Sequence, residues 1–211
     1  MMTSRPVVVV LAAGSGSRFT GPVHKLGQDL GGASVLARAL RHALASHLPV
    51  VVVTTEALAE EAQRSIASRD IVVLPPVDGT SGLPLGMGFS IAAGVSARPN
   101  ASGWLIQPGD MPLVQPSTFV AVSQALADHP VAFAQHQGRR GHPVGFAAEL
   151  YSELSALTGD DGARRLVARY PSFGVELDDP GVLLDIDTEA DLHAARASEG
   201  EARAIQPTLP G

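Results

Sequence analysis

Val7-Val8-Val9-Val10-Leu11-Ala12-Ala13-Gly14-Ser15-Gly16-Ser17-Arg18 is an unbroken apolar run that stops on a glycine turn followed by a cation. Four successive β-branched residues favour a strand. Because no polar residue alternates with them, both faces of that strand must be covered, as in a parallel sheet. Outward from this segment, Val50–Thr54, Ile71–Leu74, Trp104–Gln107 and Val131–Ala134 repeat the pattern and read as buried strands. Between them, Ala33–Ser46, Ala57–Ser68, Met87–Ala97 and Thr118–Ala127 have helix-forming composition, with apolar spacing such as Val35, Leu36, Ala39, Leu40 and Ala43. Strand–helix alternation predicts an α/β fold with a mostly parallel sheet flanked by helices. Pro116-Ser117 and Thr188-Glu189 read as helix starts.

Beyond Pro130 the pattern loosens. Val144–Ala147, Phe173–Leu177 and Val182–Ile186 are expected as strands, and helices are expected near Glu149–Leu157 and Ala163–Arg169. No composition shift separates a second domain, so residues 1–197 are expected as one domain and 198–211 as a flexible tail. The 211 residues are 45% apolar and 17% charged, too hydrophobic for intrinsic disorder. A net charge of −6 without a long basic run argues against nucleic-acid binding, which needs clustered Lys and Arg. The absence of cysteine excludes disulfides, thiolate zinc sites and thiol nucleophiles. The first apolar run is far shorter than the roughly 20 residues that span a bilayer. It also runs straight into the glycine turn rather than a cleavage site, so no membrane partner and a cytoplasmic location are expected.

The glycine turn fits neither common nucleotide motif. In a dinucleotide fingerprint, Gly14 and Gly16 match but Phe19 stands at the third glycine; in a P-loop, Gly16 and Gly21 match but Pro22 replaces lysine. What remains is a strand ending in Ala12, Ala13 and Gly14, small enough for a flat base to approach the backbone. N–H groups from Gly14 to Ser17 can form an anion nest. Arg18 adds a fork-shaped donor and Lys25 a compact charge. The competing reading is an ordinary βα turn with two solvated cations.

Asp110 follows a strand within Pro-Gly-Asp-Met-Pro, and ligands of open α/β sheets bind beyond strand carboxyl ends. A hard cation such as Mg²⁺ uses one or two carboxylates plus phosphate oxygens. Asp185 or Asp187, alternate residues on the expected Val182–Ile186 strand, can supply the second. Asp187 also reads as a helix start, with acids near the dipole's positive end. Gly86, Gly88 and Gly94 would be costly in a purely structural helix, unless close packing requires them. Arg139, Arg140 and His142 crowd a glycine-bounded loop, and Asp160 and Arg164 have the spacing of a helix-surface ion pair.

Six blocks in order carry a family resemblance: Leu11–Arg18 with Lys25 downstream, Gly86–Gly94, Gly109–Pro112, Gly138–Phe146, Gly159–Arg164 and Asp185–Thr188. Together they resemble the MobA-like nucleotidyltransferases, and the Leu-Ala-Ala-Gly opening is similar to the molybdenum cofactor cytidylyltransferases. The Arg18-to-Lys25 interval is longer than that family's usual one, and Glu189 stands where proline is frequent. The resemblance implies a Rossmann-like single domain of the nucleotide-diphospho-sugar transferase type. It implies Mg²⁺-dependent transfer of a nucleotidyl group, CMP from CTP in preference to GMP from GTP, to the phosphate of molybdopterin, with release of pyrophosphate. Arg18, Lys25 and Asp110 would be catalytic. Leu11 to Ser17, with Gly86, Gly88 and Ser90, would contact the nucleotide. Asp110 would hold metal with Asp185 or Asp187, and Arg139, Arg140, His142, Asp160 and Arg164 would meet the acceptor. A molybdoenzyme or its maturation chaperone is the protein partner this implies. The alternatives are a guanylyltransferase, a sugar-phosphate nucleotidyltransferase or a binding accessory protein; Phe19 disfavours a dinucleotide-dependent oxidoreductase.

Overall fold

A computed structural model describes residues 4–14, 24–75 and 86–205. Seven strands form one sheet: β1 (Val7–Ala12), β2 (Val50–Thr55), β3 (Ile71–Leu74), β4 (Gly103–Pro108), β5 (Val131–His136), β6 (Arg139–Ala147) and β7 (Ser172–Glu176). Their order is β3–β2–β1–β4–β6–β5–β7. All pairings are parallel except those of β6 with β4 and with β5.

The valine run does what its composition requires. Val8 and Val10 belong to one core cluster and Val7 and Val9 to the other, so successive side chains enter opposite faces of the sheet. One face is covered by α1 (Val35–Ala45), α2 (Glu56–Gln63), α4 (Pro116–Ala125) and α7 (Glu189–Ile205); the other by α3 (Met87–Ser96), α5 (Tyr151–Ser155) and α6 (Arg164–Arg169). Full burial of each such side chain stabilises by about 1.5–3 kcal/mol. Ser34 opens α1, its side chain accepting from the Ala37 N–H at 3.0 Å. On the opposite face α3 lies so close to β1 that a side chain at Gly94 would collide with Val9. No helix among the described residues is long and apolar enough to cross a membrane.

Three local expectations are corrected. Residues 182–186 form no strand: Pro180–Leu183 is a 3-10 turn, and the chain then crosses the sheet unpaired. The reason is tertiary, because β6 beneath it already has β4 and β5 as neighbours, leaving no edge to join. Val182 and Ile186 are buried as a crossing segment, which composition cannot distinguish from a strand. Arg139, Arg140 and His142 lie on β6, not in a loop; the hairpin turn is Gln137-Gly138, both with positive φ (50° and 73°). Finally, α7 runs on to Ile205, across the boundary expected at residue 198.

Candidate active site

β1 and β4 are adjacent and parallel, and chain connections depart to opposite sides of them, to β2 and β3 on one hand and β6, β5 and β7 on the other. The crevice at their carboxyl ends is the topological switch point where open α/β sheets bind ligands. Ala12, the last residue of β1, is buried; beyond it Ala13 is half-buried, and Gly14 is exposed with nothing within 4 Å of where a Cβ would sit. Beyond β4, the Gly109 N–H donates to the Leu11 carbonyl at 2.8 Å, and a Cβ there would approach that oxygen at 2.9 Å. Glycine thus lets the pairing run to its limit, and Asp110 is the first side chain clear of the sheet.

Lys25 comes from a 3-10 turn, Lys25–Gly27. Its Nζ donates to Asp110 Oδ2 at 2.7 Å and to Asp187 Oδ1 at 2.8 Å. The three side chains retain only 12%, 21% and 17% of their exposure, so this is a partly desolvated cluster and not a surface ion pair. Burial alone would lower the Lys25 pKa, but the hydrogen bonds and charges of Asp110 and Asp187 outweigh it and raise the value above the ordinary one. Asp185 lies beside the cluster. Burial, the like charges of Asp187 and Asp110, and a hydrogen bond with the Asp187 side chain push its carboxyl above the usual range, against a hydrogen bond from its own backbone. Of the two sequence candidates, Asp187 is the one joined to Asp110 through the ammonium, and Asp185 meets the cluster through the Asp187 side chain.

Asp187 is available because other residues open α7. Thr188 Oγ1 accepts from the Asp191 N–H at 3.2 Å, and the Asp191 carboxylate accepts from the Thr188 N–H at 2.8 Å, a reciprocal cap. The segment bearing Asp187 is fixed from two sides. The Ile186 N–H donates to the Asp110 carbonyl at 2.9 Å. Buried Asp179 accepts from the Gln115 N–H, the Thr118 hydroxyl and the Gly181 N–H, at 2.9, 2.6 and 3.0 Å, tying the Pro180–Leu183 turn to the start of α4. Gly141 leaves the space for this crossing, since a side chain there would strike the Val182 carbonyl.

The expected acceptor residues divide. Arg140 and His142 both lie on β6, and the Arg140 guanidinium sits 4.5 Å over the Phe133 ring. Burial draws the His142 pKa down to about 4; the Asp110 charge opposes this and the Arg140 charge adds to it, so the imidazole is neutral near pH 7. Partial desolvation also lowers the Arg140 pKa, although Arg140, like Arg139 at the hairpin end, is exposed. Asp160 begins the turn of residues 160–163 that leads into α6, and Arg164 opens that helix. The ion pair of this stretch is Arg165–Asp161, at 2.9 Å, one residue along from the Asp160–Arg164 pairing that the spacing offered as the alternative to acceptor contact. At the start of α3 the glycines pack closely, the alternative that their spacing left open. The Gly88 N–H donates to the Gly159 carbonyl at 2.9 Å, Ser90 is buried, and a side chain at Gly86 or Gly88 would collide with the Thr158–Asp160 backbone. Close packing accounts for both glycines. Ser15, Gly16, Ser17 and Arg18 lie outside the described residues.

Sequence reasoning passed over His24, Asp179 and Asp191. Thr188-x-x-Asp191 is a legible capping pattern, and Asp179-Pro180-Gly181 a legible turn. His24, directly before Lys25, carried no signal of its own.

Known proteins share this arrangement of elements. The crystal structure of Rv0371c from Mycobacterium tuberculosis H37Rv superposes with a TM-score of 0.77 at 25% identity, covering 92% of this chain and 99% of that one. The same protein solved as a complex with manganese gives a TM-score of 0.74 at 24% identity, covering 92% and 100%. Molybdopterin-guanine dinucleotide biosynthesis protein A from Archaeoglobus fulgidus shares the fold, with a TM-score of 0.65 at 18% identity over 92% of this chain and 99% of that one. In sequence, the bifunctional protein GlmU of Corynebacterium aurimucosum is 29% identical over 192 residues, 86% of this chain but 39% of that protein. The chain spans two fifths or less of the curated relatives it matches. The family profile matches residues 8–173, from β1 into β7 and including Lys25 and Asp110, and the chain therefore belongs to the MobA-like NTP transferase domain family.

Proposed function

We propose that the chain is a nucleotidyltransferase that moves CMP from CTP to the terminal phosphate of molybdopterin, or of its molybdenum-loaded form, in a Mg²⁺-dependent reaction. The observation that carries this reading is the cluster of Lys25, Asp110 and Asp187 beside the open backbone of Gly14 at the switch point. An oxygen of the acceptor phosphate would attack the α-phosphorus in line. The bond from that phosphorus to the bridging oxygen would break, and pyrophosphate would leave with the bonding electrons. The acceptor brings its own nucleophile, so the protein's task is positioning and charge neutralisation. Lys25 and, by resemblance, Arg18 would neutralise the phosphates.

The residues present suit a hard divalent cation. Oxygens of two carboxylates lie within 2.8 Å of one cationic nitrogen, so their spacing already brackets a positive charge. Among the described residues no group of three or more metal-ligating side chains occurs. That agrees with an ion such as Mg²⁺, which takes one or two carboxylates and completes its shell with water and phosphate oxygens. Asp110 and Asp187 would hold it, and bound there it would polarise the phosphoryl oxygens.

CTP is favoured because Leu11-Ala12-Ala13-Gly14 resembles the cytidylyl-transferring branch, and Ala13, where a Leu-Ala-Gly-Gly opening differs, keeps part of its surface exposed at the crevice. Arg140 and His142 would meet the acceptor. A sugar-phosphate acceptor is the second reading, since such transferases share the opening signature. The test is pyrophosphate release from each of the four ribonucleoside triphosphates with Mg²⁺, in the presence of molybdopterin or of a hexose 1-phosphate. Release with CTP and molybdopterin is expected. Release with GTP would reassign the base, and release only with the sugar phosphate would reassign the acceptor. Nucleotide binding without release under any condition would leave an accessory binding protein.

A further inference from the structure

We infer that His24 is a positioning residue, pinning the turn that carries Lys25 to the end of β1. Both ring nitrogens are used. Nδ1 accepts from the Leu26 N–H at 3.2 Å and caps the Lys25–Gly27 turn. Nε2 lies 3.0 Å from the Gly14 carbonyl. An imidazole that accepts at Nδ1 must carry its proton on Nε2, so the ring donates to Gly14 in its neutral Nε2–H form. Gly14 and His24 are thus held together across nine intervening residues. Leu26, one residue past Lys25, is buried and anchors the far side of the same turn. The imidazole therefore sets the separation between the open Gly14 backbone and the Lys25 ammonium, the two features that the proposed nucleotide site combines. This inference rests on that proposal.

Fixing this separation before binding removes an ordering cost that a nucleotide would otherwise bear. Loss of two hydrogen bonds of ordinary net strength corresponds to a roughly tenfold change in affinity or more. Asparagine can keep the cap on the Leu26 N–H but is too short for Gly14, whereas glutamine can reach Gly14 but loses the cap. Each should recover only part of the function.

Two measurements test the idea. The first is long-range ¹H–¹⁵N NMR of the His24 ring at pH 8 in nucleotide-free protein, which should show an Nε2–H tautomer; an Nδ1–H tautomer would overturn the assignment. The second is calorimetric titration of wild type, His24→Ala, His24→Asn and His24→Gln with CTP and with GTP, each with Mg²⁺. The alanine variant should bind about tenfold more weakly while its circular dichroism stays native, and the Asn and Gln variants should fall between. Wild-type affinity in folded His24→Ala would refute the positioning role and leave the proposed function intact. If wild type binds neither nucleotide, the proposed function fails and the inference fails with it. Should His24→Ala not fold, equal affinity of wild type and both conservative variants would still refute the inference.

Discussion

Replacing Lys25 with methionine removes the ammonium that Asp110 and Asp187 share and leaves their like charges facing each other. At 2.7 and 2.8 Å, each attraction is about 6 kcal/mol gross at an effective dielectric near 20. Desolvation of three partly buried charges offsets most of this, and the net loss should be about 2 kcal/mol, within the range for hydrogen bonds to charged groups. For a domain of this size that corresponds to a Tm lower by about 4–8 °C. The assay is thermal unfolding at pH 7.5 in EDTA and again with increasing Mn²⁺ or Mg²⁺. Because the Lys25 ammonium no longer competes for the Asp110 and Asp187 oxygens, metal should raise the Tm of the variant more than that of wild type. A double-mutant cycle of Lys25→Met with Asp187→Asn should give a coupling of about 1–2 kcal/mol. An unchanged Tm in EDTA together with zero coupling would refute the cluster as described. The pH sign is also fixed. A raised lysine pKa contributes stability that is fully present below the unfolded-state value of 10.5 and is lost as pH rises through the higher folded-state value. Wild type should therefore lose this increment only above pH 10.5, and Lys25→Met should show no such loss.

Asp110→Asn should lower kcat by about 10²–10³, the scale for losing one preorganised electrostatic group, while circular dichroism stays native. Asp187→Asn should behave similarly and Asp185→Asn should cost much less; equal losses at 185 and 187 in a pyrophosphate-release assay would contradict the geometry. In an NMR titration of metal-free protein, His142 should stay neutral until about pH 4. Since that pKa is depressed from 6.5, its contribution to stability is present above pH 6.5 and declines as pH falls towards 4, which chemical denaturation at pH 7, 5.5 and 4.5 would detect. Asp179→Ala leaves the buried Thr118 hydroxyl and two backbone N–H groups without their acceptor, and should destabilise the fold by about 3 kcal/mol in urea titration.

Much of this molecule is legible locally. β1 to β5 and α1 to α4 follow from β-branched runs and 3.6-residue apolar spacing, because a strand or helix buried in an α/β layer must repeat on its own period. The placement of Gly14 and of the turn bearing Asp110 at one edge follows from the rule that ligands meet a parallel sheet at its carboxyl edge. Where polar residues occupy a strand, as Arg139, Arg140 and His142 do on β6, the period is hidden. Where an apolar run crosses a sheet without joining it, as at 182–186, the run imitates a strand.

The sequence by itself determined the layered α/β architecture, the placement of Gly14 and Asp110 at one edge, and Lys25 as a cation near them. Only the tertiary structure decided that Lys25 bonds Asp110 and Asp187, that Asp185 reaches the cluster only through Asp187, and that Gly86 and Gly88 serve packing against Thr158–Asp160. The physical reason is range. Periodicity reports how a residue faces its own element, over three or four neighbours. The contacts that assemble this cluster join residues 85 and 162 positions apart in the chain. Their partners are selected by strand order, by the space left at Gly141, and by which backbone groups other caps have already satisfied.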